Sequence, residues 1–341
     1  MVTPRTTSRL HTVVQIGIPL LLTVVVLTVP AVILPVLDLP GSGALISMCG
    51  LSALAVTMSL GWRMGLLSTV GLTLAVPIVM LATERWWVAC LVMGLATYAY
   101  GMSAERGWQR AFILIPITLG FAVSGDPPVA AVNLKDVVTA IAVTLTVCSL
   151  SVLVIHLLLK GHKHGGSNPI PRARARGYAV LLAVTTVFTT AIALIWQWGH
   201  AGGWLIMTPL IVLQPYLHDA LAKSIRRALG TTVGFVIAFT LAIVVPNGWA
   251  IYAIATIFAI AATVAMERRW DYSIYAVFLT VTIVLWEGSS TSITQTDLTR
   301  LGATLAGIGL ALCIMVAALP FYSRANRRAT QANASTDSKQ L

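Results

Sequence analysis

Long apolar segments separated by short polar ones are the feature that most constrains how this chain can fold. Each is near the roughly 20 residues that a helix needs to cross the hydrocarbon core of a bilayer. Because lipid offers the backbone no hydrogen bonds and the alternation of barrel strands is missing, we expect helices. Twelve segments can be placed, at residues 13–37, 42–60, 64–82, 86–103, 109–124, 136–159, 177–197, 203–217, 228–246, 248–266, 270–287 and 298–321.

The low content of charged residues favours the same interpretation. Of the 341 residues, 57% are hydrophobic and only 10% are charged, whereas a soluble domain carries about 25% charged residues. We therefore predict an integral membrane protein that contacts the lipid bilayer. The net charge of +11 would suit nucleic acid, but the basic residues stand in short loops between apolar segments, which indicates membrane topology and no nucleic-acid partner.

The distribution of basic residues predicts the orientation. With the N-terminus inside and each segment crossing once, only Arg85, Lys135 and Arg300 fall outside, so 19 of the 22 Lys and Arg lie inside. Cytoplasmic loops show this bias. The expected location is the bacterial inner (plasma) membrane, with several crossings and both termini in the cytoplasm.

Polar stretches divide the chain into two halves. The longest internal one is rich in Gly, Pro and Arg, and it predicts a flexible linker. The tail is polar and is predicted to be disordered. The expected units are a cytoplasmic N-terminus at 1–12, a first six-helix repeat at 13–160, a basic cytoplasmic linker at 161–176, a second six-helix repeat at 177–322 and a cytoplasmic tail at 323–341.

Short motifs recur between the halves at a spacing of 161 to 163 residues, which indicates an internal duplication. Because six crossings are an even number, the two copies face the same way across the membrane, as in many secondary transporters. The fold class is thus an all-α membrane protein of about twelve helices in two parallel six-helix repeats. The paired motifs are 105–108 with 267–270, 68–71 with 231–234, Arg63 with Arg226 and Asp136 with Asp297.

The second half resembles a known family in four stretches of sequence. They are WLIMTPLIVLQP, RRALGTTVG, YSIYAVFLTVTIVL and DLTRLGATLAGIGLAL. Together they resemble the repeat of the fusaric acid resistance and aromatic acid exporter family, over about residues 177–320. The resemblance is fainter over 13–160, where no Gln-Pro pair appears. It implies export of small organic anions, such as aromatic carboxylic acids, from the cytoplasm.

Arginines at segment ends suit such a substrate. A guanidinium presents two donors in a plane, which matches a carboxylate. Arg226 and Arg227 are expected at the cytoplasmic mouth of the path, or as topology signals. Arg300 lies near the outer end of the last segment, three residues after Asp297, and the two are expected to pair or to anchor the interface.

The segment 203–217 contains features of a broken helix. Pro209 and Pro215 each remove a backbone donor, and Gln214 and Thr208 add polar groups. Broken helices in membranes line protein or a cavity. We expect this segment to line a path between the two halves, although Gln214 is equally suited to a bond with a neighbouring helix.

Four aromatic residues at segment ends are candidates for stacking on an aromatic substrate, and interfacial anchoring is the other interpretation. They are Trp204, Tyr216, Tyr272 and Tyr275. Coupling to the proton gradient needs a titratable group on the path. No carboxylate falls in the middle of a predicted segment, so the candidates are His218, Asp219 and Asp297.

No Walker motif, catalytic triad or metal-ligand spacing is found, so we expect no enzyme, no cofactor and no metal. The predicted function is a proton-driven exporter of organic anions, and a second copy of the chain, in a homo-oligomer, is a candidate partner. Two alternatives stay open. A passive anion channel would suit the lack of central carboxylates and a distant resemblance to plant aluminium-activated malate channels. A non-transporting membrane scaffold is the other.

Overall fold

The computed structural model is helical throughout the part of the chain that it describes, which is residues 43–125, 134–158, 168–245, 248–268, 270–288, 299 and 301–317. The helices of the first half are α1 (Gly43–Leu60), α2 (Trp62–Ala82), α3 (Trp86–Met102), α4 (Gln109–Phe112), α5 (Leu114–Ser124) and α6 (Leu134–Leu158). Those of the second half are α7 (Arg172–Ile195), α8 (His200–Val212), α9 (Leu217–Val244), α10 (Gly248–Glu267), α11 (Tyr272–Gly288) and α12 (Leu301–Ala317).

The predicted apolar segments from residue 42 onward coincide with helices wherever the structure describes them, and segment 13–37 lies outside that part. Within the described ranges, five helices are long and apolar enough to cross a membrane, which supports a multi-pass membrane protein. They are Trp62–Ala82, Trp86–Arg106, Val138–Leu157, Arg172–Ile195 and Leu221–Val244. Segment 109–124 is divided into α4 and α5. The count of twelve spans and the two repeats stay predictions.

Two polar stretches that we expected outside helices are helical. The last residues of the predicted linker form the first turns of α7, which begins at Arg172. Arg226 and Arg227, expected in a turn, lie inside α9. The physical reason is the same in both places. Alanine, leucine, lysine and arginine are good helix formers, and neither stretch contains a proline after its helix has begun.

The main hydrophobic core joins both halves of the chain. α3 and α7 pack antiparallel, because Gly101 contacts Ala179 at one end and Gly94 contacts Val187 further along. α5 packs on α8, where Gly203 leaves room for the ring of Phe121. α12 joins the same core. A second, smaller core holds α9, α10 and α11 together.

The two ends of the bundle differ in chemistry. At one end Trp86, Trp87 and Trp196 are exposed, as in the aromatic belt of a membrane protein. At the opposite end, the N–H of Ile170 donates to the carbonyl of Ala104 at 3.2 Å. Next to this contact, Arg172 pairs with Glu105 at 3.7 Å. We call this second end, where the turn after α3 meets the starts of α7, α9 and α11, the basic end.

One turn has the same hydrogen bond in both halves. The N–H of Trp108 donates to the carbonyl of Ser103 at 3.1 Å, and the N–H of Trp270 donates to that of Ala265 at 2.9 Å. Each bond reaches back five residues, at the two places where the Glu-Arg-x-Trp motif recurs. A bond of this kind is a common helix ending, and Trp198 makes the same one to Ala193 after α7, so the internal duplication stays a prediction.

Gly230 and Gly234 bring α9 and α11 into close contact. A Cβ at Gly234 would lie 2.7 Å from the carbonyl oxygen of Val277 and 2.8 Å from the Cβ of Thr280. In α12, Gly307 makes such a contact with α8. A Cβ at Gly302 or Gly309 would have no described atom within 4 Å.

Alanine at Gly234 is expected to destabilise the protein, whereas alanine at its counterpart in the first half, Gly71, is not. Gly234→Ala would push α9 and α11 apart, because the added methyl group overlaps α11. It should lower the free energy of unfolding by about 1–3 kcal/mol. Gly71 has open space around its missing Cβ, so Gly71→Ala should gain up to about 1 kcal/mol of helix propensity. Thermal unfolding in detergent measures both. Equal effects would contradict the packing described.

Candidate functional site

A small cavity lies between α8, α9, α11 and α12. The space open to the centre of a water molecule is about 30 Å³, enough for about two waters. Every lining residue belongs to the second half, so this cavity is not between the two halves, where we expected the path. The lining residues are Trp204, Arg227, Thr231, Phe235, Thr280, Ile283, Val284, Leu301 and Thr304.

Arg227 is the only charged residue among the described residues that line the cavity. It is 2% exposed, and its Nε and Nη1 have no hydrogen-bond partner in the described structure. Taking an ion out of water carries a penalty of several kcal/mol unless other groups satisfy it. A guanidinium of this kind is therefore ready to bind an anion.

The length of α9 explains how Arg227 comes to lie so deep. α9 has 28 residues and is about 42 Å long, more than the roughly 30 Å of the hydrocarbon core. Arg227 stands ten residues after its start, about 15 Å along the axis. Four residues further on the same face lies Thr231, whose Oγ1 is buried and also has no partner.

Most of the other lining residues are apolar. Trp204 packs edge-on against Phe121, with ring centroids 5.3 Å apart. Thr280 donates its hydroxyl to the carbonyl of Ala276 at 2.7 Å. Apolar walls with a few convergent polar groups are typical of sites for small ligands. One cation, one free hydroxyl and aromatic walls suit an anion with an apolar body.

Two of the predicted tyrosines lie beside Arg227. The rings of Tyr272 and Tyr275 are 5.9 Å apart, and Tyr275 is within electrostatic reach of Arg227. The Oη of Tyr272 is buried without a hydrogen-bond partner. Trp204 and Arg227 thus line the same cavity, and Tyr275 lies near Arg227 without being part of the lining; the role predicted for these residues stays a prediction.

Three other predicted residues have local partners instead. Arg226 points away from the cavity and pairs with Asp271 at 3.3 Å, where both side chains are about half exposed. The ring of Tyr216 lies 4.6 Å under the guanidinium of Arg174. Gln214 donates from Nε2 to the carbonyl of Leu213 at 2.9 Å and to that of Ile211 at 3.3 Å.

The broken helix is confirmed, but its free backbone groups do not line the cavity. α8 ends at Val212, and α9 begins at Leu217. Between them the carbonyl of Leu213 accepts from the hydroxyl of Tyr178 at 3.3 Å as well as from Gln214. The backbone of the break is thus satisfied by protein groups.

The two prolines and Thr208 have structural positions. Pro215 lies in the break and is buried. Pro209 lies inside α8 and leaves the carbonyl of Leu205 without its helical donor. Gly307 of α12 packs against that carbonyl and against Thr208. The hydroxyl of Thr208 donates to the carbonyl of Trp204 at 2.7 Å.

Four predicted residues have undescribed side chains. His218 and Asp219 are in the first turn of α9, and their side chains lie outside the described part of the chain. Asp297 and Arg300 lie outside it entirely. Their predicted roles stay predictions.

Sequence reasoning missed several residues around the cavity. Thr280 and Thr304 are ordinary threonines in apolar segments, so nothing in the sequence distinguishes them. Thr231 carried a signal, because it follows Arg227 by four residues and so shares its helix face. Lys223 carried the same signal on the other side of Arg227.

The chain is similar to a known family over residues 185–314, which match the model described as fusaric acid resistance protein-like. This confirms the resemblance seen in the sequence. The family is of the membrane efflux and resistance type. The cavity, whose lining runs from Trp204 to Thr304, lies wholly within the matched segment. Neither the curated proteins nor the solved structures compared with the chain include a match.

Asp271 is expected to make the stability of α11 depend on pH. Its pKa is lowered, first because the N–H of Ser273 donates to Oδ1 at 2.8 Å, then by the hydroxyl of Ser273 and the charge of Arg226. A lowered pKa stabilises the folded state above about pH 4, the pKa of an unfolded aspartate, and the effect is lost as the pH falls below it. Asp271→Ala should therefore lower the melting temperature at pH 7 and make little difference near pH 3. A constant difference would contradict this role.

Proposed function

We propose, from the fusaric acid resistance protein-like match of residues 185–314, that this protein exports small organic anions, chiefly aromatic carboxylic acids, from the cytoplasm. Arg227 binds the carboxylate. The aromatic body of the substrate lies against Trp204, Tyr272 and Tyr275. The basic end faces the cytoplasm of a bacterial cell, in line with the preference of basic residues for that side.

The observation that carries this proposal is the buried, unpaired guanidinium of Arg227 in the cavity wall. A structural arginine would be satisfied by a carboxylate or by carbonyls. Substituting a bound anion for water gives charge-assisted hydrogen bonds, which are about twice as strong as neutral ones. The apolar walls beside it favour an anion with a ring over a small inorganic one.

Substrate entry requires the site to widen. A space of about 30 Å³ is far below the volume of roughly 300–1,000 Å³ typical of ligand pockets. The wall formed by α9 and α11 rests on a separate small core, so this pair of helices can shift against α8 and α12 with the least repacking. Transport then alternates between a narrow state and an open one.

The proton gradient is the proposed driving force. The described residues that line the cavity include no carboxylate and no histidine. His218 and Asp219, at the start of α9, therefore stay the candidates for proton coupling on the basic side, and Asp297 the candidate before α12. A passive channel would need none of them.

Arg227→Met is expected to remove transport without unfolding the protein. Loss of the charged contact should lower uptake of labelled benzoate into inside-out vesicles at least tenfold. Methionine replaces an unpaired buried charge by an apolar side chain, so the melting temperature should stay the same or rise. The matched control is Arg226→Gln, on the outer face of the same turn, with uptake within about twofold of the parent.

Full uptake by Arg227→Met would contradict the role of Arg227, as would a loss of uptake together with a lower melting temperature. Collapsing the proton gradient distinguishes the proton-driven exporter from the passive channel. If uptake then stops, the exporter is supported, whereas unitary currents in planar bilayers would support the channel.

A further inference from the structure

Lys223 continues the charged face of α9 outward from the cavity. It precedes Arg227 by four residues, so both lie on one face of α9, about 6 Å apart along its axis. Lys223 is also within electrostatic reach of Arg227 and of Arg110, which belongs to α4 in the first half. Three positive charges from two halves of the chain therefore meet at the basic end.

Other arginines at this end have partners. Arg172 pairs with Glu105, and Arg226 pairs with Asp271. Lys223, Arg110 and Arg227 form no ion pair with any carboxylate that the structure describes. Three close like charges repel one another, and a bound anion removes that repulsion. The two carboxylates described at this end, Glu105 and Asp271, thus pair with arginines outside the face of Lys223 and Arg227.

An aromatic wall lies between Lys223 and Arg227. The Nζ of Lys223 is 5.3 Å from the ring centroid of Tyr272. Tyr275, next to Tyr272, is within electrostatic reach of Arg227. The buried Oη of Tyr272 has no hydrogen-bond partner and is free to donate to an acidic group. A cation thus lies at each end of a pair of aromatic rings.

We propose that Lys223 and Arg110 form a second anion-binding position, and that the preferred substrate is an aromatic anion with two acidic groups. This rests on the proposed function. One carboxylate binds Arg227, the ring lies along Tyr272 and Tyr275, and the second carboxylate binds Lys223 and Arg110. Because Arg110 comes from the first half, a substrate with two charges contacts both halves, and a substrate with one does not.

The test compares benzoate with isophthalate, the benzene-1,3-dicarboxylate, on the full chain in inside-out vesicles. Each acid competes with the uptake of labelled benzoate. The parent should be inhibited by isophthalate at about tenfold lower concentration than by benzoate, the effect of one further charged contact. In Lys223→Gln this preference should fall at least fivefold, and Lys223→Arg should restore it. Arg110→Gln should weaken it, whereas Arg226→Gln should not.

Equal inhibition by the two acids in the parent would overturn the proposal, as would a Lys223→Gln variant that keeps the preference. A lysine that only marks the membrane interface would leave the ratio of the two acids unchanged.

If the parent takes up neither acid, the proposed function fails. The second position is then judged on purified protein alone. Isophthalate must raise the melting temperature of the parent more than benzoate does, and the difference must disappear in Lys223→Gln. Equal shifts in the parent would overturn the proposal on this measurement too.

Discussion

A guanidinium held away from water needs a negative partner, and the described part of this chain gives Arg227 none. The cavity of the second half is arranged around this one unpaired charge. The long helix α9 carries it about 15 Å along its axis, into a region lined by Trp204, Phe235 and Ile283. An isolated buried charge lowers stability. Its presence in the cavity wall is therefore best explained by the binding of an anion.

The position of that charge depends on how closely α9 and α11 approach. Gly230 and Gly234 allow the backbones of the two helices to approach closely. Because the hydrophobic effect does not drive helices together within lipid, such close packing contacts hold membrane helices together. α11 then places Thr280 in the cavity wall and its two tyrosines beside Arg227. The break between α8 and α9 lets Trp204 close the other side. Gln214 and Tyr178 donate hydrogen bonds to the carbonyl of Leu213 in the break. This carbonyl therefore does not compete with an anion for Arg227.

The sequence predicted the helices well, because twenty apolar residues leave the backbone few alternatives in lipid. Two of its candidates, Trp204 and Arg227, line one cavity, but the roles of the candidate residues in transport stay predictions. Arg226 and Gln214 have local partners, which the sequence does not reveal because it does not show which way a side chain points. Arg226 and Arg227 are adjacent, yet one is exposed and paired while the other is buried and unpaired. The threonines and the location of the cavity within one half depend on packing between distant segments. No local pattern encodes that packing.

The most direct test of this account is an experimental structure with an iodinated benzoate bound. The anomalous signal of iodine locates the ring without ambiguity. We predict iodine between α8, α9 and α11, with the carboxylate within hydrogen-bond distance of the guanidinium of Arg227. Iodine between the two halves, with Arg227 still buried and unpaired, would contradict the claim that this charge is what the site is built around.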